Sequence, residues 1–323
     1  MVNKINDKIT RFNEYYSRIK KSAGTNKAVL GMTAYIVDGA FKHNTSLYFK
    51  YINRCVNEQL KDFSPSFDEK ADKNKHFDFK NKMPIWVCWF QGYENMPELV
   101  KLCYKQLTLM ADDSCEVVLI TSENIYEYVD FPDEVISKVG NEYSLTNFSD
   151  LLRFKLLSEY GGLWIDATVF VSKPISSRLI ENGFFSQKNS MAEDKKYYAS
   201  HHMWSSWLLA DKAGKKLFTF ASQAMEYYYQ HYDGPIDYYL CDYLFLAAMK
   251  RYGDVKKEVY ELANNNIGTF ELVGILNNEY DPMRLKEILS NNQFNKLTYK
   301  EKNYRSLNGK STNYATLLKQ VAM

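Results

Sequence analysis

The spacing of apolar residues divides the chain into a helical beginning, an alternating middle and a less regular end. Within the first 62 residues, apolar side chains recur at intervals of three and four and so share one helix face: Ile5, Ile9, Phe12, Tyr16 and Ile19. A second helical stretch follows the capping-type sequence Asn44-Thr45-Ser46. Residues 64–82 are polar and rich in charge, which predicts an exposed connector.

From residue 84 onward, short apolar runs alternate with amphipathic segments. Residues 84–90 and 116–121 predict two buried strands, and a helix with Pro97 in its first turn lies between them. Strand, helix and strand at this spacing predict a βαβ unit and therefore a parallel sheet. Over residues 84–174, predicted strands and helices thus alternate as they do in a nucleotide-binding α/β half-domain.

Residues 149–170, SDLLRFKLLSEYGGLWIDATVF, predict a helix, a glycine pair that ends it, and an apolar strand. Ser149 or Asn147 can cap this helix. Asp150 and Arg153 are three residues apart and can pair, and taken alone they could form a surface ion pair. Asp166 lies within the apolar strand, where an unpaired carboxylate is costly.

Ligands bind outside the carboxyl ends of the strands in open α/β sheets. A hard cation such as Mg²⁺ or Mn²⁺, held in turn by diphosphate oxygens, would satisfy Asp166 there. Beyond Pro174, residues 205–232 and 236–251 look helical, and a basic, polar segment ends in a short helix. The predicted fold is α/β, with a mixed, largely parallel sheet flanked by helices.

Composition narrows the classes of function. The net charge is +2, so nothing indicates a nucleic-acid partner, and the five cysteines are scattered without a metal-binding pattern. They are typical of buried thiols in a reducing compartment. No apolar run is long enough for a signal peptide or a membrane span, so the sequence predicts a cytoplasmic protein.

Two stretches are similar to a known family: SDLLRFKLLSEYGGLWIDATVFVSKP and PIWVCWFQGYENMPELVKLCYKQL. They resemble the signature of bacterial glycosyltransferases with a DxD motif, specifically those of capsular polysaccharide synthesis. Clostridial glucosylating toxins are more distant relations. The resemblance is specific over residues 84–174 and weaker elsewhere, including residues 296–299.

The resemblance implies a GT-A-like catalytic domain over residues 81–323, preceded by an N-terminal helical subdomain and connector over residues 1–80. Residues 84–174 would form the nucleotide-sugar-binding half, and residues 175–323 the acceptor half and a C-terminal loop. It also implies retaining transfer of a hexose from a nucleotide-sugar, UDP-glucose or UDP-galactose, to a saccharide acceptor linked to polyprenyl diphosphate.

Site residues follow from the same resemblance. Trp89 would stack on the uracil, with Gln91 beside it in the donor site. Asp150 and Arg153 would contact the donor sugar and its diphosphate, and Asp166 would hold Mn²⁺ or Mg²⁺, with the Thr168 hydroxyl orienting a metal-bound water. Asp242 would be the acceptor base or a contact to the donor sugar. Lys310 and Thr312 would belong to a loop that closes over the diphosphate.

One departure from the family pattern bears on the metal. Ala167 and Thr168 follow Asp166, so the second carboxylate of a DxD motif is missing. This predicts weaker metal binding, completion of the site by a distant residue, or metal independence.

Three alternatives stay open. One is a toxin-like transferase that glycosylates protein hydroxyls, and another is an inactive nucleotide-sugar-binding protein. The third concerns the N-terminal helices, where Lys20, Lys21 and Lys27 could contact the inner face of the membrane peripherally. Packing of these helices on the catalytic core is the favoured interpretation.

Overall fold

The computed structural model describes residues 2–41, 47–67, 78–191 and 198–322 of the 323-residue chain. Its helices and strands follow this order: α1 (Val2–Ala23), α2 (Thr25–Phe41), α3 (Leu47–Gln59), β1 (Met83–Cys88), α4 (Glu98–Met110), β2 (Cys115–Ile120), α5 (Asp133–Ile136), α6 (Leu145–Glu159), β3 (Gly161–Ile165), β4 (Val169–Val171), β5 (Phe185–Ser186), β6 (Leu208–Lys212), α7 (Lys216–His231), α8 (Leu240–Arg251), α9 (Gly253–Glu261), α10 (Glu271–Ile275), α11 (Pro282–Asn291), β7 (Phe294–Lys296), β8 (Ser306–Leu307), β9 (Lys310–Ser311) and α12 (Asn313–Ala322). Short 3₁₀ turns span Tyr93–Asn95, Ile125–Glu127 and Ser177–Ile180.

The main sheet has five strands in the order β2-β1-β3-β6-β5. Strand β1 pairs in parallel with both β2 and β3, while β6 is antiparallel to β3 and to β5. Four strands therefore point one way and β6 points the other. This confirms the predicted mixed, largely parallel sheet with flanking helices.

The carboxyl ends of β1 and β3 meet at one edge of this sheet. Trp89 follows β1 and Asp166 follows β3, so parallel pairing brings them to the same edge. The predicted strand through Asp166 is in fact broken, because Val169 N donates to Asp166 O at 3.0 Å and closes a turn. Residues 169–171 then form β4, which pairs with β7 in a separate two-stranded sheet.

Helix α6 begins earlier than the sequence suggested. Its cap is Ser144, whose hydroxyl accepts from Asn147 N in a capping box, so the prediction of Ser149 or Asn147 as cap was wrong. Asp150 consequently lies inside the helix on its buried face rather than in its first turn. Residues 208–212 were predicted helical but form β6, because their backbone pairs with β3 on one side and β5 on the other.

The glycine pair lets β3 lie close to its neighbours. Gly161 and Gly162 have φ angles of +67° and +94°, which favour glycine. A Cβ on Gly162 would lie 2.2 Å from the carbonyl oxygen of Pro84 on β1. The pair therefore both turns the chain out of α6 and permits the tight β1–β3 contact.

The predicted N-terminal helices are confirmed, and they pack on the rest of the chain. Ile19 and Ile52 are fully buried in the same apolar cluster as Leu152 of α6 and Leu244 of α8. The Asn44-Thr45-Ser46 cap and the side chains of Ile5 and Ile9 lie outside the described residues. Division of the chain near residue 80 stays a prediction. Within the described ranges, no helix has both the length and the apolar character required to span a bilayer.

Candidate active site

A group of charged and hydroxyl side chains lies at the carboxyl edge of β1 and β3. We call it the charged cluster, and it consists of Asp150, Arg153, Asp166, Thr168 and Lys296. Two of its members come from α6, two from the turn between β3 and β4, and one from the end of β7. The structure thus brings together the three residues that the sequence placed at the centre of the site and adds a lysine from far along the chain.

Arg153 connects Asp150 of α6 with Asp166 of the turn that follows β3. Its Nη1 donates to Asp150 Oδ1 at 2.7 Å, and its Nη2 lies 3.5 Å from Asp166 Oδ1. The guanidinium lies over the ring of Trp164, with 4.9 Å from Cζ to the ring centroid. Burial disfavours its charge, but Asp150 and Asp166 outweigh that effect and raise the pKa of Arg153. The pair of Asp150 and Arg153, which taken alone could have been a surface ion pair, is therefore buried.

The Asp166 carboxylate forms an ion pair with Lys296. Lys296 Nζ lies 2.6 Å from Asp166 Oδ2 and also donates to Thr168 Oγ1 at 2.9 Å. Trp164 Nε1 donates to the other carboxylate oxygen at 3.2 Å. Burial opposes ionisation of Asp166, but Lys296 and Arg153 together lower its pKa below the ordinary value.

Two buried acids, Asp150 of the charged cluster and the nearby Asp242, have raised pKa values. Burial raises the pKa of Asp150 to about 6, against the opposing attraction of Arg153. Burial likewise raises the pKa of Asp242 to about 7, although Asp242 Oδ1 accepts a hydrogen bond from Trp204 Nε1 at 2.7 Å. The charge of Asp150 contributes to the shift of Asp242, so the two carboxyls belong to one electrostatic neighbourhood.

Two donors at this edge, Arg153 Nε and Trp89 Nε1, are buried without a hydrogen-bond acceptor among the residues that the structure describes. Buried donors are normally satisfied, so a ligand with oxygen acceptors at this edge could supply the partners that these two N–H groups lack. The ring of Trp89 packs edge-on against Tyr299, with 5.5 Å between centroids.

The other predicted site residues lie at varying distances from the cluster. Gln91 is exposed in the turn that follows Trp89, near the same edge. Lys310 pairs with Glu279 at 2.7 Å. Thr312 is fully buried and donates to the carbonyl of Tyr304. The predicted mobile loop is thus partly strand β9, and a role of Lys310 and Thr312 over the diphosphate stays a prediction.

The residues present do not fit the expected metal. Asp166 supplies the one carboxylate of the broken motif, and Lys296 and Arg153 already neutralise it. Over the described residues, no group of three or more histidine, cysteine or acidic side chains could hold a metal ion. Mg²⁺ and Mn²⁺ prefer several oxygen ligands in octahedral geometry.

Sequence reasoning missed two residues at this site. Lys296 belongs to a segment of weak resemblance without an assigned role, and Trp164 counts among the apolar residues of the predicted strand. One feature of the sequence could have drawn attention to Lys296. It ends a short segment that begins with an apolar residue, and a lysine that is partly buried in such a segment needs an acidic partner.

The mixed sheet and the cluster at its carboxyl edge define a GT-A-like α/β protein. Over residues 35–317 the sequence matches the family described as capsular polysaccharide synthesis protein, and the chain belongs to that family. Membership connects the protein with capsule synthesis and supports a transferase activity. Comparison with curated proteins gave no match, and neither did comparison with solved structures.

Because the pKa of Asp242 is raised, a substitution that removes its charge should stabilise the fold at a pH where the carboxyl is ionised. A carboxyl whose pKa rises from 3.8 to about 7 on folding stabilises the fold fully below about pH 4 and loses that contribution as the pH rises through 7. Asp242→Asn keeps an oxygen for Trp204 and should raise the free energy of unfolding by about 2–4 kcal/mol near pH 8, with little gain near pH 4. Urea denaturation at both pH values measures this.

Asp254→Asn is the matched control. A hydrogen bond from Lys216 is the main cause that lowers the pKa of Asp254, so removal of its charge should give no gain at either pH. An equal gain for Asp242→Asn at both pH values would show that its carboxyl is not strained by burial.

Proposed function

We propose that this protein is a retaining hexosyltransferase of capsule synthesis. It takes the hexose from a nucleotide-sugar, UDP-glucose or UDP-galactose, and transfers it to a saccharide acceptor linked to polyprenyl diphosphate. The observation that supports this most directly is the buried Arg153, whose Nε has no acceptor among the described residues, beside Asp166 at the carboxyl edge of the sheet. An anionic ligand with oxygens in that direction would satisfy the guanidinium.

The aromatic residues at the same edge support a nucleotide donor. Trp89 follows β1, its indole N–H has no acceptor within the described part of the chain, and the ring of Tyr299 packs against its ring. We assign uracil stacking to Trp89 and contact with the donor diphosphate to Arg153. Asp150 pairs with Arg153, and the charges of both residues act on Asp242. Asp150 and Asp242 have pKa values of about 6 and 7, so they can hydrogen-bond to hexose hydroxyls as acceptors or, when protonated, as donors.

The proposed transfer occurs on one face of the hexose. The bond between the anomeric carbon and the diphosphate oxygen breaks, and its electron pair remains on the diphosphate. The acceptor hydroxyl oxygen bonds to the anomeric carbon from the same face, and its proton passes to the departing diphosphate oxygen. Arg153 stabilises the charge that develops on the diphosphate because it is already oriented by Asp150 and Asp166.

Calorimetric titration with UDP-, GDP- and other nucleotide sugars tests the donor assignment. We expect the full chain to bind a UDP-hexose, and Trp89→Ala to weaken binding by about 10- to 100-fold because base stacking is lost. Trp89→Phe should retain most of the affinity. Tyr260→Ala is the control, since Tyr260 is a 57% exposed aromatic of α9 outside the cluster.

Failure to bind any nucleotide under any condition would contradict the proposal. Tight binding of UDP without turnover of any donor, with or without metal, would instead identify an inactive nucleotide-sugar-binding protein. Transfer to protein hydroxyls in place of saccharide would support the toxin-like alternative.

A further inference from the structure

We infer that the ammonium group of Lys296 stands in for the divalent cation of a DxD site, so that the donor diphosphate binds to Lys296 and Arg153 without a metal. This inference rests on the proposed function, because it concerns how the same site binds its donor. Lys296 would then be a residue that contacts the leaving group directly.

The position of Lys296 is fixed by the backbone. Strands β4 and β7 pair so that Val169 lies opposite Lys296, and Leu297 N donates to Thr168 O at 2.9 Å. This pairing places the ammonium between the side chains of Asp166 and Thr168, the first and third residues of Asp166-Ala167-Thr168. In a DxD motif these are the positions of the two acids, and here one carboxylate and one hydroxyl accept hydrogen bonds from an ammonium group instead.

The replacement of an acid by Thr168 matches the charge of the cation. A lysine carries one positive charge where Mg²⁺ or Mn²⁺ carries two, so one carboxylate suffices to balance it. Asp166 provides that carboxylate, and Thr168 accepts a hydrogen bond without adding charge. The missing second acid therefore has a physical explanation in the lysine that faces it.

Lys296 retains a donor for the ligand. An ammonium has three N–H donors, and Asp166 and Thr168 use two of them. The side chain keeps 19% of its surface exposed, so the third donor can reach a bound diphosphate. The ring of Trp207 lies 5.6 Å from the nitrogen and helps to restrict where the ammonium points.

A metal at the same place would meet unfavourable charges. It would have to bind Asp166 while Lys296 lies 2.6 Å from one of its oxygens and Arg153 3.5 Å from the other. Two cations next to a third repel it strongly in a partly buried site. Arg153 and Lys296 together supply the positive charge that the departing diphosphate requires.

The test compares UDP binding to the full chain in EDTA and in Mn²⁺, by calorimetry, with electron paramagnetic resonance to count bound Mn²⁺. We expect equal affinity in both conditions and no stoichiometric Mn²⁺ on the protein–UDP complex. Lys296→Met should weaken UDP binding by about 10- to 100-fold, since a charged hydrogen bond is lost. Lys296→Arg should recover part of the affinity, and Lys300→Met, which removes an exposed lysine four residues away, should leave it unchanged.

A restored acid provides the converse test. The double variant Thr168→Asp, Lys296→Met recreates two carboxylates without the lysine, and its UDP binding should become dependent on Mn²⁺. Circular dichroism and thermal unfolding verify that each variant is folded. The comparison of UDP binding in EDTA and in Mn²⁺ uses the unmodified chain, so it does not depend on the folding of any variant. UDP binding that depends on Mn²⁺ in the unmodified chain would overturn this inference alone. No UDP binding in either condition would overturn the proposed function as well.

Discussion

Replacing Arg153 with methionine is expected to cost about 3–5 kcal/mol of the free energy of unfolding near pH 8 and to abolish UDP binding. The guanidinium is 6% exposed and is the hydrogen-bonding partner of Asp150, whose side chain is 9% exposed. Without it, the buried Asp150 carboxyl, whose pKa is already raised to about 6, has to stay ionised without its partner or take up a proton near pH 8, and either change costs free energy. The loss should shrink near pH 5, where Asp150 can take up a proton. Urea denaturation at the two pH values measures the difference.

A second substitution separates the structural role of Arg153 from its role toward the ligand. Arg153→Met combined with Asp150→Asn removes both charges of the pair, so most of the stability near pH 8 should return. UDP binding should not return, because the diphosphate contact is still missing. Arg178→Met, at an exposed arginine, is the control. Recovery of UDP binding in the double variant would show that Arg153 acts only on the fold.

The middle of the chain could be predicted because its signals are local. Short apolar runs separated by an amphipathic helix fix β1, α4 and β2, and the glycine pair fixes where α6 ends and β3 begins. The same reasoning failed over residues 208–212, where the apolar residues that suggested a helix instead fill a strand between β3 and β5. Short apolar runs do not distinguish strand from helix without their neighbours.

The candidate site was predictable only where its members lie close together in the sequence. Asp150, Arg153 and Asp166 lie within one helix–glycine–strand unit, and the structure brings them together. Lys296 is 130 residues from Asp166, and their contact depends on the pairing of β4 with β7. Nothing local in the sequence indicates that pairing. The sequence therefore predicted that a cation neutralises Asp166 but suggested a metal ion where the structure has Lys296.

Gly162→Ala is expected to lower the free energy of unfolding by more than about 4 kcal/mol and to remove UDP binding along with the fold. A methyl group there would lie 2.2 Å from the Pro84 carbonyl oxygen, so β3 would have to move away from β1. The edge that holds Trp89 and Asp166 depends on that contact. Gly214→Ala is the matched control, because Gly214 has a similar positive φ of +72° but open space around its Cβ position.

The Gly214→Ala control separates the free-energy cost of the backbone conformation from the cost of the steric clash. Gly214→Ala should cost only about 1–2 kcal/mol, the price of a left-handed conformation for alanine, and should leave UDP binding intact. Urea denaturation of both variants gives the two values. If the two substitutions cost the same, then β1 and β3 can separate without loss, and the close packing of the glycine pair is not what holds the two ends of the site together.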